Sequence, residues 1–436
     1  MERATIVPPV PGPSLRRNFV WNLAGGGAFV AGQWAILVAL TKIGDEAAAA
    51  DNLGRFALSL VVLQPLVQVA HAELRQVQAT DARRRRPPGL YLGARGLAVA
   101  AVLIVVAVLG AVWGRPAATT HTLFALALAK GFESCSDVTY GRFEQRERMD
   151  LVARSQLLRA VAGLTAFTAT LAGTHDVTWA GLALAGAWGL VFAAHDLPLS
   201  LRRDGADPAG RPALSLRTCA GLLWVSFPLG ITTGLAALAI NTPPYVLEAR
   251  ASTELVGRYA ALAYFVSALR MPAIAAGVAL APRLGRHLAR GDLGRARRLS
   301  AALVLACAAP GVAGTAAAAL FGRPLLALVY RPSFAVFAPE LTVLLAAATV
   351  GFAAYGLRLS LTAAGRYASQ IPPVLGMLAV TAAVAWVLVP THGVLGAAVG
   401  LLCGRLVQFF VFALTYAAHL AGLAQRAPAP AAPPAD

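Results

Sequence analysis

The stretch LALAKGFESCSDVTYGRFEQRERMD, residues 126–150, begins as an apolar helix and turns polar at Lys130. Glu133 and Asp137 follow at helical spacing, and a dense run of charge closes it. A soluble protein can carry such a helix on its surface. A membrane protein must hide the charges, so the fold turns on what surrounds this segment.

The surroundings are apolar. Of the 436 residues, 58% are hydrophobic and only 13% charged, with a mean hydropathy of +0.66; soluble domains carry about 25% charged residues. The apolar residues gather in runs of roughly 18–25, enough to cross about 30 Å of hydrocarbon. Twelve such spans are expected, at 17–42, 52–76, 89–113, 118–141, 150–173, 177–200, 214–240, 256–281, 297–320, 336–358, 371–389 and 393–422. They are helices, because a lone strand cannot satisfy its backbone in lipid. The expected class is all-α integral membrane.

The net charge of +17 would suggest nucleic acid in a soluble chain. Here the cations alternate by loop instead. One set of loops holds Arg83 to Arg86, then Arg142, Arg146 and Arg148, then Arg202, Arg203 and Arg211, and finally Arg283, Arg286, Arg290, Arg295, Arg297 and Arg298. The opposite loops carry few cations, several beside carboxylates such as Asp51 and Glu254. The positive-inside rule then puts both termini in the cytoplasm, and no nucleic-acid partner is expected. The Arg-, Ala- and Gly-rich composition points to a bacterium, hence to the cytoplasmic (inner) membrane. Arg16 and Arg17 superficially resemble a twin-arginine signal but, with no cleavage site after them, anchor the first helix. Cys135, Cys219, Cys307 and Cys403 are scattered singly, without metal-binding spacing.

The two halves echo each other. NLGRFALSL from Asn52 opens the second span and LVGRYAALA from Leu255 the eighth; Tyr140-Gly141 and Tyr355-Gly356 close the fourth and tenth. Six plus six spans with matching loops make a parallel repeat, with a cleft expected between two lobes. The expected organisation is a cytoplasmic tail (1–15), an N-lobe (16–200), a linker (201–213), a C-lobe (214–423) and a Pro/Ala-rich tail (424–436).

Lys130, Glu133, Asp137, Tyr140 and Glu144 fall on one helical stripe. A charge at mid-membrane costs roughly 2.5–3.5 kcal/mol, so the stripe must face protein or water. Lys130 and Glu133 either cancel as a structural pair or line a wet cleft, with Glu133 or Asp137 responding to an ion. Arg159, Arg270, Arg358 and Arg405 add intramembrane cations. Five cations against two carboxylates favour an anionic ligand, with Arg suited to phosphate. His71 with Glu73, and His195 with Asp196, are further titratable pairs. Gly396, Gly400 and Gly404 have the spacing of close helix packing; the glycines of the first helix are candidates for bending. No P-loop, HExxH or GxSxG occurs, so the chain reads as a transporter and not as an enzyme.

The run AKGFESCSDVTYGRFEQRERMDLVARS resembles a signature segment of Wzx-like oligosaccharide flippases. Lys130, Glu133, Ser134, Asp137, Tyr140, Gly141, Gln145, Glu147, Arg148, Met149, Asp150, Ala153 and Ser155 carry it. RNFVWNLAGGG, NLGRFAL and LRQVQATD also resemble that family, and the second half does so more weakly. The resemblance implies the multidrug/oligosaccharidyl-lipid/polysaccharide (MOP) exporter superfamily. It implies a substrate of polyprenyl-pyrophosphate-linked oligosaccharide, moved to the outer leaflet by alternating access through a cationic cleft. No cofactor is implied beyond H+ or Na+ as coupling ion; partners would be membrane lipids and the polymerase and glycosyltransferases of the same pathway. A drug or metabolite exporter of MATE type is the first alternative. A membrane polymerase or acyltransferase is the second.

Overall fold

A computed structural model describes residues 15–80, 86–202, 215–366 and 368–426. The N-terminal tail (1–14), Arg83 to Arg85, the linker from Arg203 to residue 214 and the C-terminal tail from 427 lie outside the described residues. Among those described there is no strand.

Among the described residues the expected spans fall on helices, with one interruption. In order these are α1 (Leu15–Lys42), α2 (Glu46–His71), α3 (Leu74–Thr80), α4 (Pro88–Val112), α5 (Ala117–Gln145), α6 (Met149–Thr174) and α7 (Val177–Val191). A π-helical turn (Phe192–Asp196) leads into α8 (Leu197–Leu201). The rest are α9 (Leu216–Ile240), α10 (Thr242–Arg250), α11 (Thr253–Ala289), α12 (Leu293–Val329), α13 (Ala338–Ala363) and α14 (Ile371–Arg426). Among the described residues, nine helices are long and apolar enough to cross a membrane. The charge on α5 and the shorter apolar window of α9 (Leu216–Phe227) keep these two out, and α14 counts once although it holds two spans.

Short polar residues start several helices by accepting hydrogen bonds from their otherwise unpaired amides. Asp45 caps α2 through Ala48 N at 2.7 Å, and Asp176 caps α7 through Thr178 N at 2.6 Å. Ser252 and Asp292 do the same for α11 and α12.

The sequence pattern misplaces three features. The basic segment around Arg283–Arg298 is not a loop: α11 and α12 each continue for 37 residues and meet at Gly291, whose φ is +71°. Each is thus about 55 Å long, well beyond the hydrocarbon thickness. Span 52–76 is interrupted at Ala72 and Glu73, both at positive φ. Arg142 likewise sits within α5, its side chain buried, rather than in a loop.

Contacts divide the chain into two compact units, the first ending at Leu238 and the second beginning at Ala239. In the first unit α9 packs on α2 and α4: Cys219 and Leu222 join a core with Ala72, Leu74, Leu90, Tyr91 and Val138. In the second, one core forms where α12, α11 and α13 meet around Leu284, Leu303 and Cys307. Another joins α13 to the end of α14 through Leu361, Phe412 and Tyr416.

The echoed motifs have matching contacts. Arg55 pairs with Asp51 and Arg258 with Glu254, each acid one turn upstream. Gly141 and Gly356 both mark close approaches. A Cβ on the first would lie 2.7 Å from Arg75 O, and on the second 2.9 Å from Val304 Cα. The Gly396/Gly400/Gly404 stripe packs the two halves of α14 together, facing Leu388, Ala385 and Thr381. In the first helix Gly25 is a contact against Ala153, not a bend.

The turn within α14 is made at Gly393, with φ +51° and ψ −124°. That region is closed to side-chain-bearing residues, so Gly393→Ala is expected to cost about 1–3 kcal/mol. It should lower the melting temperature of detergent-purified protein. Gly376→Ala, whose methyl would meet only Val407 at 3.4 Å, should leave it unchanged.

Candidate functional site

The α5 stripe forms the axis of a charged cluster in the first unit. Lys130 Nζ donates to Glu133 Oε2 at 2.7 Å, so this pair does form. One turn on, His71 Nε2 and Ser134 Oγ are 2.8 Å apart. Arg75, on the short α3, donates from Nη1 to Asp137 Oδ1 at 3.0 Å and from Nε to Glu144 Oε1 at 3.1 Å. Arg95, on α4 and fully buried, has Nη2 3.5 Å from Asp137 Oδ2 and donates from Nη1 to Ala70 O. Its Nε and Nη2 make no hydrogen bond. His71, Glu73, Arg75, Gln76, Arg95, Asp137 and Glu144 line a cavity of about 310 Å³.

Tyr140 faces the other way. Its ring lies 5.3 Å below the Arg75 guanidinium, while its hydroxyl accepts from Arg159 Nη2 at 2.7 Å and bonds Ser155 Oγ at 2.8 Å. Ser155 donates to Asp196 Oδ2 at 2.9 Å, and Asp196 Oδ1 is 2.9 Å from His195 Nδ1. Arg159 is only 2% exposed and sits among the rings of Phe29, Tyr140 and Trp188. Its charge reaches the stripe through Tyr140.

The motif residues around this cluster each have a local task. The α5–α6 turn places Glu147 at φ +56°, and Asn18 Nδ2 on α1 donates to its carbonyl at 2.8 Å. Arg148 grips Asp150 with two bonds of 2.8 Å. Arg142 Nη1 donates to Gln145.

Sequence spacing alone missed Arg75 and Arg95, the partners that the stripe's carboxylates require. With them the local balance changes. Arg75, Arg95, Lys130 and Arg159 stand against Glu73, Glu133, Asp137, Glu144 and Asp196. The cation excess counted along the sequence therefore does not hold in the first unit. It resides in the second. There Arg270 and Arg358 are exposed, Arg358 lying 5.2 Å over the Tyr355 ring. Arg405 is half-buried beside Gly351 and donates to Gln408 at 2.8 Å. Among the described residues none of the three pairs with a carboxylate.

The α2–α3 break belongs to the same cluster. Ala72 and Glu73 have φ of +46° and +51°. For residues with a Cβ this costs about 1–2 kcal/mol each. No metal-binding group of His, Cys, Asp and Glu occurs among the described residues.

Removing one member of a buried ion pair costs about 3–5 kcal/mol, while replacing both by apolar residues is often neutral. Lys130→Met should therefore destabilise the protein strongly, and Lys130→Met/Glu133→Met should recover most of the loss, read as melting temperature in detergent.

No protein-family model and no curated protein matches the chain. Solved structures do. A variant of the Vibrio cholerae MATE transporter VcmN aligns over 94% of this chain and 96% of its own, at TM-score 0.61 and 15% identity. An inward-facing multidrug resistance MATE family transporter of the MOP superfamily aligns over the same shares at TM-score 0.64 and 13% identity. The eukaryotic MATE transporter AtDTX14 covers 94% and 99%, at TM-score 0.62 and 14% identity. The chain thus has the all-α, multi-pass membrane fold of the MATE transporters.

Proposed function

We propose that the chain is an exporter of the MOP type that works by alternating access. The observation that carries this is the likeness to MATE transporters over 94% of its length. Ion pairs held inside the membrane support coupling to an H+ or Na+ gradient, since such groups serve transport pathways far more often than packing. By the loop charges, both termini lie in the cytoplasm and the protein resides in the cytoplasmic membrane of a bacterium.

Two substrate classes remain. Fold likeness favours a drug or metabolite exporter, because one of the matched structures is a multidrug resistance transporter. The near-neutral charge cluster of the first unit agrees with that class. A flippase for polyprenyl-pyrophosphate-linked oligosaccharide is the second reading, and two observations favour it. The α5 segment carries the flippase-like motif, and among the described residues Arg270, Arg358 and Arg405 have no carboxylate partner, a state that suits them to a phosphorylated head group. Lys130 would join them on the substrate path, with Glu133 or Asp137 coupling the cycle.

Purified protein in proteoliposomes separates the two. Efflux of a fluorescent cationic drug under an imposed H+ or Na+ gradient is the result expected of the first class. Lectin-accessible lipid-linked oligosaccharide, lost in Arg405→Gln and Arg270→Gln at equal expression, is that of the second. Neither activity under either gradient would overturn export as the function.

A further inference from the structure

We propose that the Ala72–Glu73 joint is a strained hinge latched by Arg75, and that freeing Arg75 lets α2 and α3 merge into one straight helix. The inference concerns the first unit alone and stands for either substrate class.

The first argument is local. Kinks in helices normally trace to Pro, to Gly or to an inserted group. Pro65 lies higher up in α2, seven residues before the joint, and residues 66–80 (LVQVAHAELRQVQAT) contain neither Pro nor Gly. Ala, Glu, Leu, Arg and Gln, which dominate positions 72–76, are good helix formers. Yet Ala72 and Glu73 both take left-handed φ, and the helix resumes at Leu74. Nothing in this segment asks for the break.

Tertiary contacts hold it instead. Arg75 bonds Asp137 and Glu144, seven residues apart on α5, and its guanidinium also stacks on Tyr140. Gly141 lets the α3 backbone approach α5, with Arg75 O only 2.7 Å from where a Cβ would stand. Ala72 and Leu74 are buried against Leu90, Tyr91 and Val138. On the other side of the joint, Thr233 donates to Gln68 O and Gly230 admits Val69 O, so the end of α2 is pinned to α9. The strain is thus offset by a docked α3, whose ionic contacts with α5 all run through the Arg75 guanidinium.

The polar cavity lies at this joint, with His71 and Glu73 from the joint itself, Arg75 and Gln76 from α3, Arg95 from α4, and Asp137 and Glu144 from α5. Straightening would swing the seven residues of α3, a segment about 10 Å long, away from α5. It would open the cavity and expose Asp137 with Arg95 as its remaining partner. The stripe's charge pairing and the path of α2 become one coupled equilibrium, in which neutralising or engaging either carboxylate loosens the latch.

The test is a distance along the two helices, measured by pulsed electron paramagnetic resonance. Spin labels are placed at Ala47→Cys and Gln76→Cys in full-length protein whose four native cysteines are replaced by Ala. A continuous helix would separate these positions by about 44 Å; the broken one is shorter. Arg75→Gln, and separately Asp137→Asn/Glu144→Gln, should each add a narrow population near that length. Adding Ala72→Gly and Glu73→Gly to Arg75→Gln should return the shorter distance, because glycine adopts positive φ freely. If Arg75→Gln does not yield monodisperse protein, Glu144→Gln alone, which keeps the Asp137 bond, reports the same shift at lower amplitude. An unchanged distance in every latch variant would overturn the hinge, as would a broad short distribution signifying a melted α3. So would glycines that fail to restore the parent value.

Discussion

Charge in hydrocarbon is tolerated only when it is paired or wetted, and this rule organises the first unit. Helix α5 carries Lys130, Glu133, Asp137 and Glu144 through a segment that the surrounding helices shield from solvent. Lys130 and Glu133 answer each other within one turn. Asp137 and Glu144 have no such neighbour and draw Arg75 and Arg95 in from α3 and α4. The positions of two helices are thereby tied to the charge pattern of a third. Because desolvation makes an unpaired buried charge cost several kcal/mol, neither partner of these links is lost cheaply.

Tyr140 joins this ionic side to a quieter one. Its ring meets Arg75 and its hydroxyl reaches Arg159 and Ser155, so the chain of contacts continues to Asp196 without an ion in direct pairing. The two units treat charge differently. In the first, Lys130, Arg75 and Arg95 meet carboxylates; in the second, Arg270, Arg358 and Arg405 have no acidic partner among the described residues.

Much of the architecture was legible in the sequence, because hydropathy over twenty residues is a long, redundant signal. The twelve spans fall on helices, one of them broken at Ala72–Glu73, and the turn at Gly393 falls on the first residue of the last expected span. The α5 stripe was equally visible, since helical periodicity places its members on one face. Their partners were not. Arg95 is a single charge in an apolar run, Arg75 follows the end of a span, and no spacing rule links either to α5. The break at Ala72–Glu73 was invisible for a related reason: tertiary contacts impose it on residues that locally prefer a helix. The reach of α11 and α12 past the expected boundaries was hidden because arginine is a good helix former, and hydropathy marks only where the lipid ends.

The π-helical turn at Phe192–Asp196 has a consequence for how this protein can vary. It holds one more residue than an α-helical turn would, and that surplus orients Asp196 toward Ser155. Deleting any residue between 192 and 196 would rotate everything downstream by about 100° and strand a carboxylate in the interior. The register between α7 and α8 is therefore fixed by the number of residues in this turn.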